Sequence, residues 1–145
     1  MNAAVNAFFL ILKLLSLYFL VVSLFSLCKR KMQKSSTTQR RFAVLIAARN
    51  EESCIAGLIE SLLAQNYPSE LFDIWVLPNN CTDHTADAAR HAGGKVLEMP
   101  TSIHSKGAAL QYAANTLLHG SRYYDAFCVF DADNEVDPAF LSEMN

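Results

Sequence analysis

Two aspartates one residue apart, Asp131 and Asp133, directly follow the apolar run 127–130. A continuous apolar run is typical of a strand buried on both faces of a parallel sheet. In open α/β sheets, ligands bind at the carboxyl ends of the strands, which is where these two carboxylates fall. Two neighbouring carboxylates repel each other unless a cation lies beside them, and Mg²⁺ or Mn²⁺ binds through one or two carboxylates plus substrate phosphates. The pair therefore indicates either a divalent-metal site or a solvated acidic turn.

Polar segments also follow two other predicted strands, at residues 47–52 and 78–83. A further helix is predicted to begin at Lys106, where free backbone N–H groups and the helix dipole favour an anion. Lys106 adds a positive charge there, and Gly107 allows close approach of a ligand. Together these groups predict a phosphorylated ligand bound with a divalent ion. The segment 47–52 contains no glycine, which excludes a P-loop and a dinucleotide-binding fingerprint after the first strand.

The spacing of the apolar residues predicts alternating strands and helices, and these elements carry the polar segments described above. Strands are predicted at 42–47, 72–77, 95–99 and 124–130, and helices are predicted to be capped by Asn50, Thr82, Ser105 and Asp137. The order β-α-β-α-β-α-β implies an α/β fold, with a mainly parallel sheet, flanking helices and right-handed crossovers. Because the last helix has barely begun at Asn145, residues 42–145 are interpreted as the N-terminal, truncated part of a larger domain.

Residues 1–28 are predicted to form a transmembrane helix, because the stretch 3–27 carries a single charge, Lys13. About 20 apolar residues span the hydrocarbon core, and Lys13 would snorkel or face a partner helix. A cleaved signal peptide fits less well, since no basic segment precedes the apolar stretch. Residues 29–41 form a predicted basic juxtamembrane linker, and basic residues beside a span mark its cytoplasmic side. The expected protein is therefore a membrane protein, single-pass or beginning with the first of several passes, with its domain in the cytoplasm.

Charge is unevenly distributed along the chain. Seven of the twelve basic residues lie in the first 41 positions, and all fourteen acidic residues lie from Glu51 onward. Residues 42–145 thus carry five basic and fourteen acidic side chains, a net charge of −9. Nucleic-acid-binding surfaces are basic, so nucleic acid is not an expected partner. The four scattered cysteines form no C-x-x-C pair, which indicates a reducing compartment rather than a disulfide framework.

From about residue 42 to the end, four motifs in order resemble those of the family-two glycosyltransferases. They are Ala48-Arg49-Asn50-Glu51-Glu52, similar to the family's A-R-N-E-E; Asn79 to Thr85, similar to D-N-C-T-D-x-T; Lys106 to Leu110, similar to K-G-x-A-L; and Asp131-Ala132-Asp133, similar to D-x-D. The resemblance implies a Rossmann-like nucleotide-diphospho-sugar transferase fold.

The resemblance also implies a role for each matching residue. Ala48, Arg49 and Glu51 would lie against the nucleoside, Asn79 would face the base, Lys106 the diphosphate, Asp131 the ribose or sugar, and Asp133 would ligate the metal. The implied cofactor is Mg²⁺ or Mn²⁺, which would bridge the diphosphate and neutralise charge on the leaving group. Asn79 stands where the family has an aspartate that reads the base. Its carbonyl can still accept a hydrogen bond from a uracil N–H, so a UDP-sugar stays the expected donor on weaker grounds.

The leading hypothesis is a metal-dependent glycosyltransferase, of hexosyltransferase type, that transfers a sugar from a nucleotide-diphosphate donor to a glycan or lipid acceptor at the membrane. This chain would carry the donor- and metal-binding half, with the catalytic base expected beyond Asn145. The alternative is a truncated or degenerate fragment that binds nucleotide without turnover. Purely structural roles stay open for single residues. Lys106 could be an ordinary exposed lysine, Glu52 could stabilise only the helix dipole, and Thr82 and Asp83 could act only as caps. The histidines are interpreted as surface residues: His84, His91, His104 and His119.

Overall fold

The computed structural model describes residues 3–26 and 38–145, which fall into two compact units. The first unit contains α1, Ala3–Ser26, within the predicted span of residues 1–28. Its segment Val5–Phe25 is long and apolar enough to cross a membrane, and its large apolar side chains are exposed. This length and composition make α1 a candidate membrane anchor. A signal sequence near the N-terminus has the same properties. Residues 27–37, which include most of the predicted basic linker, lie outside the described residues.

The second unit is built on a four-stranded parallel sheet in the order β3-β2-β1-β4. The strands are β1 Phe42–Ala48, β2 Phe72–Pro78, β3 Lys95–Val96 and β4 Ala126–Asp131. The register pairs Ala48 with Pro78 and Ala47 with Asp131, so the carboxyl ends of three strands lie side by side. The predicted α/β class, with a mainly parallel sheet and flanking helices, is confirmed.

Helices connect the strands, and β1 is buried on both faces because its alternate side chains enter two cores. The helices are α2 Ile55–Leu63, α3 Thr85–His91, α4 Lys106–Leu118 and α5 Phe140–Met144, with a 3₁₀ turn at Ser69–Leu71. Val44 and Ile46 lie in one core with the apolar stripe of α2. Leu45 lies in the other with Ala113 and Leu117 of α4. Because alternate side chains of a strand point to opposite faces, β1 packs against α2 on one face of the sheet and against α4 on the other.

Two strands differ from their sequence-based predictions. β3 has two residues rather than five. β4 was expected to be buried on both faces, but its Val129 is 49% exposed. The reason is position: β4 is an edge strand of the described sheet, and the described residues leave about half of this side chain uncovered. Apolar composition alone does not distinguish a central strand from an edge strand.

Of the four predicted helix caps, one is confirmed and three are wrong; Asp137 does not cap α5, which begins at Phe140, and its Oδ1 instead accepts from Ala139 N at 2.8 Å in the preceding turn. Ser105 Oγ accepts a hydrogen bond from Ala108 N at 3.2 Å and caps α4. Asn50 does not cap α2; it adopts φ 59°, and its Oδ1 accepts from Thr82 N at 2.8 Å. Thr82 likewise caps no helix, since α3 begins at Thr85. These two side chains connect neighbouring loops instead, because Asn tolerates the left-handed conformation that the turn requires.

An ion cluster around the buried Asp73 ties the amino end of β2 to β3 and to the segment before β4. Asp73, 6% exposed, accepts hydrogen bonds from Lys95 Nζ at 2.8 Å and Tyr124 Oη at 2.6 Å. Arg122 Nε lies 3.0 Å from Asp73 Oδ2 as an ion pair, without the alignment of a hydrogen bond. Burial by itself raises the pKa of Asp73, but these hydrogen bonds and positive charges outweigh it and hold the pKa below its ordinary value.

Candidate functional site

A cleft of about 410 Å³ opens at the carboxyl edge of the sheet. It lies among the ends of β1, β2 and β4 and the first turn of α4. Its lining residues are Ala47, Ala48, Arg49, Glu51, Asn79, His104, Lys106, Asp131, Ala132 and Asp133. All seven residues that the sequence nominates for donor and metal binding therefore border one cleft, while their individual roles remain predictions. His104 is exposed, as predicted, and it also lines the cleft, although no motif of the sequence marked it.

The loops after β1 and β2 are bound to each other below the cleft. Asn50 accepts from Thr82, as described above, and Glu51 N donates to Thr85 Oγ1 at 2.9 Å. Thr85 Oγ1 in turn donates to Asp83 Oδ1 at 2.5 Å. The hydrogen bond from the Thr85 hydroxyl, followed by those from backbone N–H groups, lowers the pKa of Asp83 and keeps it ionised. Thr82, Asp83 and Thr85 thus hold the two loops together and are absent from the cleft lining.

Cys54 lies beside the cleft and orients Glu51. Its thiol donates to Glu51 Oε2 at 3.1 Å. Burial, that hydrogen bond and the negative charges of Glu51 and Asp133 raise the pKa of Cys54 to about 11. The thiolate is the nucleophilic form of cysteine, so at neutral pH Cys54 is a neutral hydrogen-bond donor. Its contribution to the site is to position the Glu51 carboxylate.

Lys106 and Asp131 form an ion pair across the cleft. Both side chains are about half exposed, at 51% and 59%. Exposed ion pairs contribute little free energy, so a ligand that brings its own charges can separate this one. Asp131 N donates to Asn134 Oδ1 at 2.9 Å, and Asn134 N donates back to Asp131 O at 3.1 Å. This tight turn fixes the backbone on both sides of Asp133.

The acidic side chains at this edge of the sheet suit a divalent ion that takes most of its ligands from a bound phosphate and from water. Among the described residues, no group of three or more His, Cys, Asp or Glu side chains is arranged to hold a metal by itself. A closed zinc site is therefore not formed by this part of the chain. Mg²⁺, by contrast, commonly binds through one or two carboxylates together with substrate phosphates and water. Asp133, with Asp131 two residues away, matches that donor set.

Solved structures share this fold at low sequence identity. A mannosyltransferase from Pyrobaculum calidifontis, in complex with GDP-Man and Mn²⁺, has a TM-score of 0.73 and 21% identity, over 88% of this chain and 37% of its own. Glucosyl-3-phosphoglycerate synthase from Mycobacterium tuberculosis, in a complex that includes Mn²⁺ and UDP, has a TM-score of 0.54 and 24% identity, over 70% of this chain and 37% of its own. The described sheet and helices thus have the fold of nucleotide-sugar-dependent glycosyltransferases, in incomplete form.

Residues 43–144 match the sequence model of glycosyl transferase family 2. The chain belongs to this family. Beta-monoglucosyldiacylglycerol synthase from Synechocystis sp. is 29% identical over 112 residues, which are 76% of this chain and 23% of that protein. The synthase of the same name from Nostoc sp. is 40% identical over 43 residues, or 30% of this chain and 9% of that protein. The chain therefore spans about a quarter or less of the length of these curated relatives.

Proposed function

We propose that residues 42–145 bind a nucleotide-diphosphate sugar together with Mg²⁺ or Mn²⁺, as the donor-binding part of a membrane-anchored glycosyltransferase. The acceptor is a glycan or lipid at the membrane. The observation that carries the proposal is the convergence of Ala48, Arg49, Glu51, Asn79, Lys106, Asp131 and Asp133 on one cleft. The diacylglycerol-based product named for the Synechocystis relative supports a lipid as acceptor.

The charges of the cleft are divided as a diphosphate–metal complex requires. The Ser105-capped start of α4 and Lys106 favour the negatively charged diphosphate. Asp133 lies in the turn that follows β4 and suits the cation. When bound, the ion supplies Lewis-acid stabilisation of the charge that develops on the leaving diphosphate. Ala48, Arg49, Glu51 and Asn79 are then left for the nucleoside, and Asp131 for the ribose or sugar.

Metal-dependent nucleotide binding tests the proposal. The full chain in detergent is titrated by calorimetry with UDP, CDP, GDP and ADP, each with and without MnCl₂. We expect at least one diphosphate to bind more tightly with manganese, and UDP is the nucleotide that the family resemblance favours. Absence of binding to all four, with the fold verified by circular dichroism, would contradict the proposal.

Gly107 provides a test that separates ligand binding from folding. A Cβ at Gly107 meets no atom within 4 Å, so Gly107→Ala fits the fold. Alanine favours helix over glycine by about 0.5–1 kcal/mol, so stability is expected to stay equal or rise. If the diphosphate lies against the first turn of α4, the added methyl overlaps it, and overpacking of about 1–3 kcal/mol weakens binding roughly tenfold.

The matched control is Gly57→Ala in α2, where an added Cβ also meets nothing within 4 Å. Gly57 does not line the cleft. Thermal unfolding and calorimetry of both variants measure the two effects. Equal nucleotide affinity of the Gly107→Ala and Gly57→Ala variants would place the diphosphate elsewhere.

The membrane part of the proposal rests on α1. Its 21-residue apolar segment is long enough for the hydrocarbon core, and Lys13 is its single charge. Cytoplasmic placement of the domain rests on the basic residues that follow the span. We expect the full chain to resist carbonate extraction from membranes, and a variant lacking residues 1–37 to be released. External protease should spare the domain in intact cells; cleavage of residues 42–145 would reverse the topology.

Binding without turnover is the second candidate, because each carboxylate that lines the cleft has a contact or a proposed role other than proton transfer. The carboxylates that line the cleft are Glu51, Asp131 and Asp133. Glu51 accepts from Cys54, Asp131 pairs with Lys106, and Asp133 is assigned to the metal. None of them is placed as the general base that deprotonates an acceptor hydroxyl. Nucleotide binding without sugar transfer to membrane lipids or glycans supports this candidate, and transfer excludes it.

A further inference from the structure

The side chain of Asn79 is held in one place at the end of β2. Its backbone N–H donates to Ala48 O at 2.9 Å, which extends the pairing of β2 with β1. The residue is only 7% exposed. Its Oδ1 accepts a hydrogen bond from Asn80 Nδ2 at 2.9 Å. An amide that is buried and bonded on one side cannot exchange its oxygen and nitrogen freely.

A third residue fixes the direction of that hydrogen bond. Asn80 Nδ2 lies 2.7 Å from the backbone carbonyl oxygen of Ile103. A backbone carbonyl oxygen only accepts, so the Asn80 atom beside it must be the nitrogen. His104 Nδ1, 3.5 Å from the same nitrogen, is a further acceptor in one of its tautomers. The Asn79 atom that faces this nitrogen must consequently be its oxygen, because two amide nitrogens would present only hydrogens to each other.

The remaining amide atom of Asn79 is Nδ2. Its hydrogens have no partner among the described residues. Within that part of the chain, the one fully buried side-chain nitrogen or oxygen without a hydrogen-bond partner is Arg122 Nε, so solvent reaches Asn79 Nδ2. Asn79 lines the cleft. An N–H donor is therefore available to a ligand that reaches this end of β2.

We propose that Asn79 Nδ2 reads the nucleobase by donating to an acceptor on its edge, and that this favours cytidine over uridine diphosphate derivatives. The inference rests on the proposed function, which places the base at Asn79. N3 of cytosine is an acceptor, whereas N3 of uracil carries a hydrogen. An N–H that faces another N–H leaves both donors unpaired and disfavours the complex. Uracil N3–H would instead have to share Asn79 Oδ1 with the Asn80 donor, whereas cytosine N3 meets the unpaired Nδ2 donor, and Asn79 becomes a specificity-determining residue.

Asn79→Asp isolates the proposed contact. One carboxylate oxygen of the variant still accepts from Asn80, and the other replaces the Nδ2 donor by an acceptor of the same size. The quantity measured is the ratio of the CDP and UDP affinities of the full chain, by calorimetry with MnCl₂. The added negative charge weakens both diphosphates, and this effect cancels in the ratio. We expect the ratio to move toward UDP by about tenfold or more, since one hydrogen bond is lost with cytosine N3 and one gained with uracil N3–H.

Asn80→Gly tests the same contact without any added charge. Asn80 has φ 52°, which glycine adopts without strain. The variant removes the donor that fixes Asn79 Oδ1, so the Asn79 amide can rotate and accept from uracil N3–H. The ratio is again expected to move toward UDP. The control is Asn115→Asp, the same chemical change on an exposed position of α4, which should leave the ratio unchanged.

The outcomes separate the two proposals. Manganese-dependent binding with an unchanged ratio in both Asn79→Asp and Asn80→Gly overturns the inference and leaves the proposed function intact. Equal weakening of CDP and UDP by Asn79→Asp alone, with no change of ratio, likewise overturns base reading by this side chain. If the folded wild-type chain binds neither nucleotide, the proposed function fails, and the inference fails with it. A shift toward UDP in both variants supports the inference.

Discussion

Asp133→Asn is expected to lower the manganese-dependent affinity for a nucleotide diphosphate by about 100-fold or more. Substitution of groups that merely support a metal ligand already costs about 10–100-fold in metal affinity. Asp133 is proposed to bind the ion itself, and among the described residues no cluster of three or more acidic, His or Cys side chains is available to replace it. Asparagine keeps the size of the side chain and removes its charge, so the fold should be unaffected. Calorimetric titration with and without MnCl₂ measures the effect.

The control for this experiment is Glu135→Gln, two residues away on the same loop. Glu135 is exposed, and it does not line the cleft. The control removes the same charge from the same region, so its effect reports only the general electrostatic contribution, which salt screens. Manganese-dependent affinity that is equal in wild type and Asp133→Asn would refute the metal role of Asp133.

Asp73→Asn is expected to destabilise the domain by about 2 kcal/mol, since hydrogen bonds to charged groups contribute about 1.5–3 kcal/mol each and the Lys95 partner is half exposed. The carboxylate is 6% exposed and interacts with Lys95, Tyr124 and Arg122. The neutral amide leaves the two basic groups without their shared counter-charge. For a domain of this size the melting temperature should fall by roughly 10 °C. Thermal and urea unfolding of the full chain in detergent measures the change.

Asp87→Asn is the matched control, because Asp87 is 60% exposed and pairs with Arg90 at 2.9 Å on the surface of α3. Exposed ion pairs contribute about 0–1 kcal/mol, so this variant should unfold close to wild type. Asp73 lies at the amino end of β2, whereas the cleft lies at the carboxyl ends of the strands. Nucleotide affinity of the folded Asp73→Asn variant should therefore equal that of wild type. Equal stability of the two variants would contradict the proposed importance of the buried cluster.

The contribution of Asp73 should also depend on pH in a defined direction. Its pKa is lowered in the folded state, so the native carboxylate binds protons less readily than the unfolded one. The stabilisation is fully present above the unfolded pKa of about 4 and is lost as the pH falls through the lower folded-state value. The stability difference between wild type and Asp73→Asn should thus be largest near neutral pH and shrink below about pH 4. If the stability difference between wild type and Asp73→Asn stays constant at lower pH, Asp73 contributes through packing alone.

The fold was largely predictable because its signal is local. Alternate burial of β1 and the apolar stripes of α2 and α4 follow from periodicity, and parallel topology follows from the alternation of strands and helices. The exposure of Val129 was not predictable, because it depends on which strand lies at the edge of the described sheet. The mistaken caps at Asn50 and Thr82 have a similar cause, since these residues interact with each other across 32 positions of sequence.

The candidate site was likewise predictable from the sequence only in part. By itself the sequence determined the family motifs and the strand ends that carry them, because both are set by residues close together in the chain. Only the tertiary structure decided what each side chain does with its hydrogen bonds. Asn80 meets Ile103 across 23 positions, and Tyr124 meets Asp73 across 51. The Asn79 donor and the buried Asp73 cluster therefore emerged only from the folded chain, because hydrogen-bond partners are chosen by proximity in space and not along the sequence.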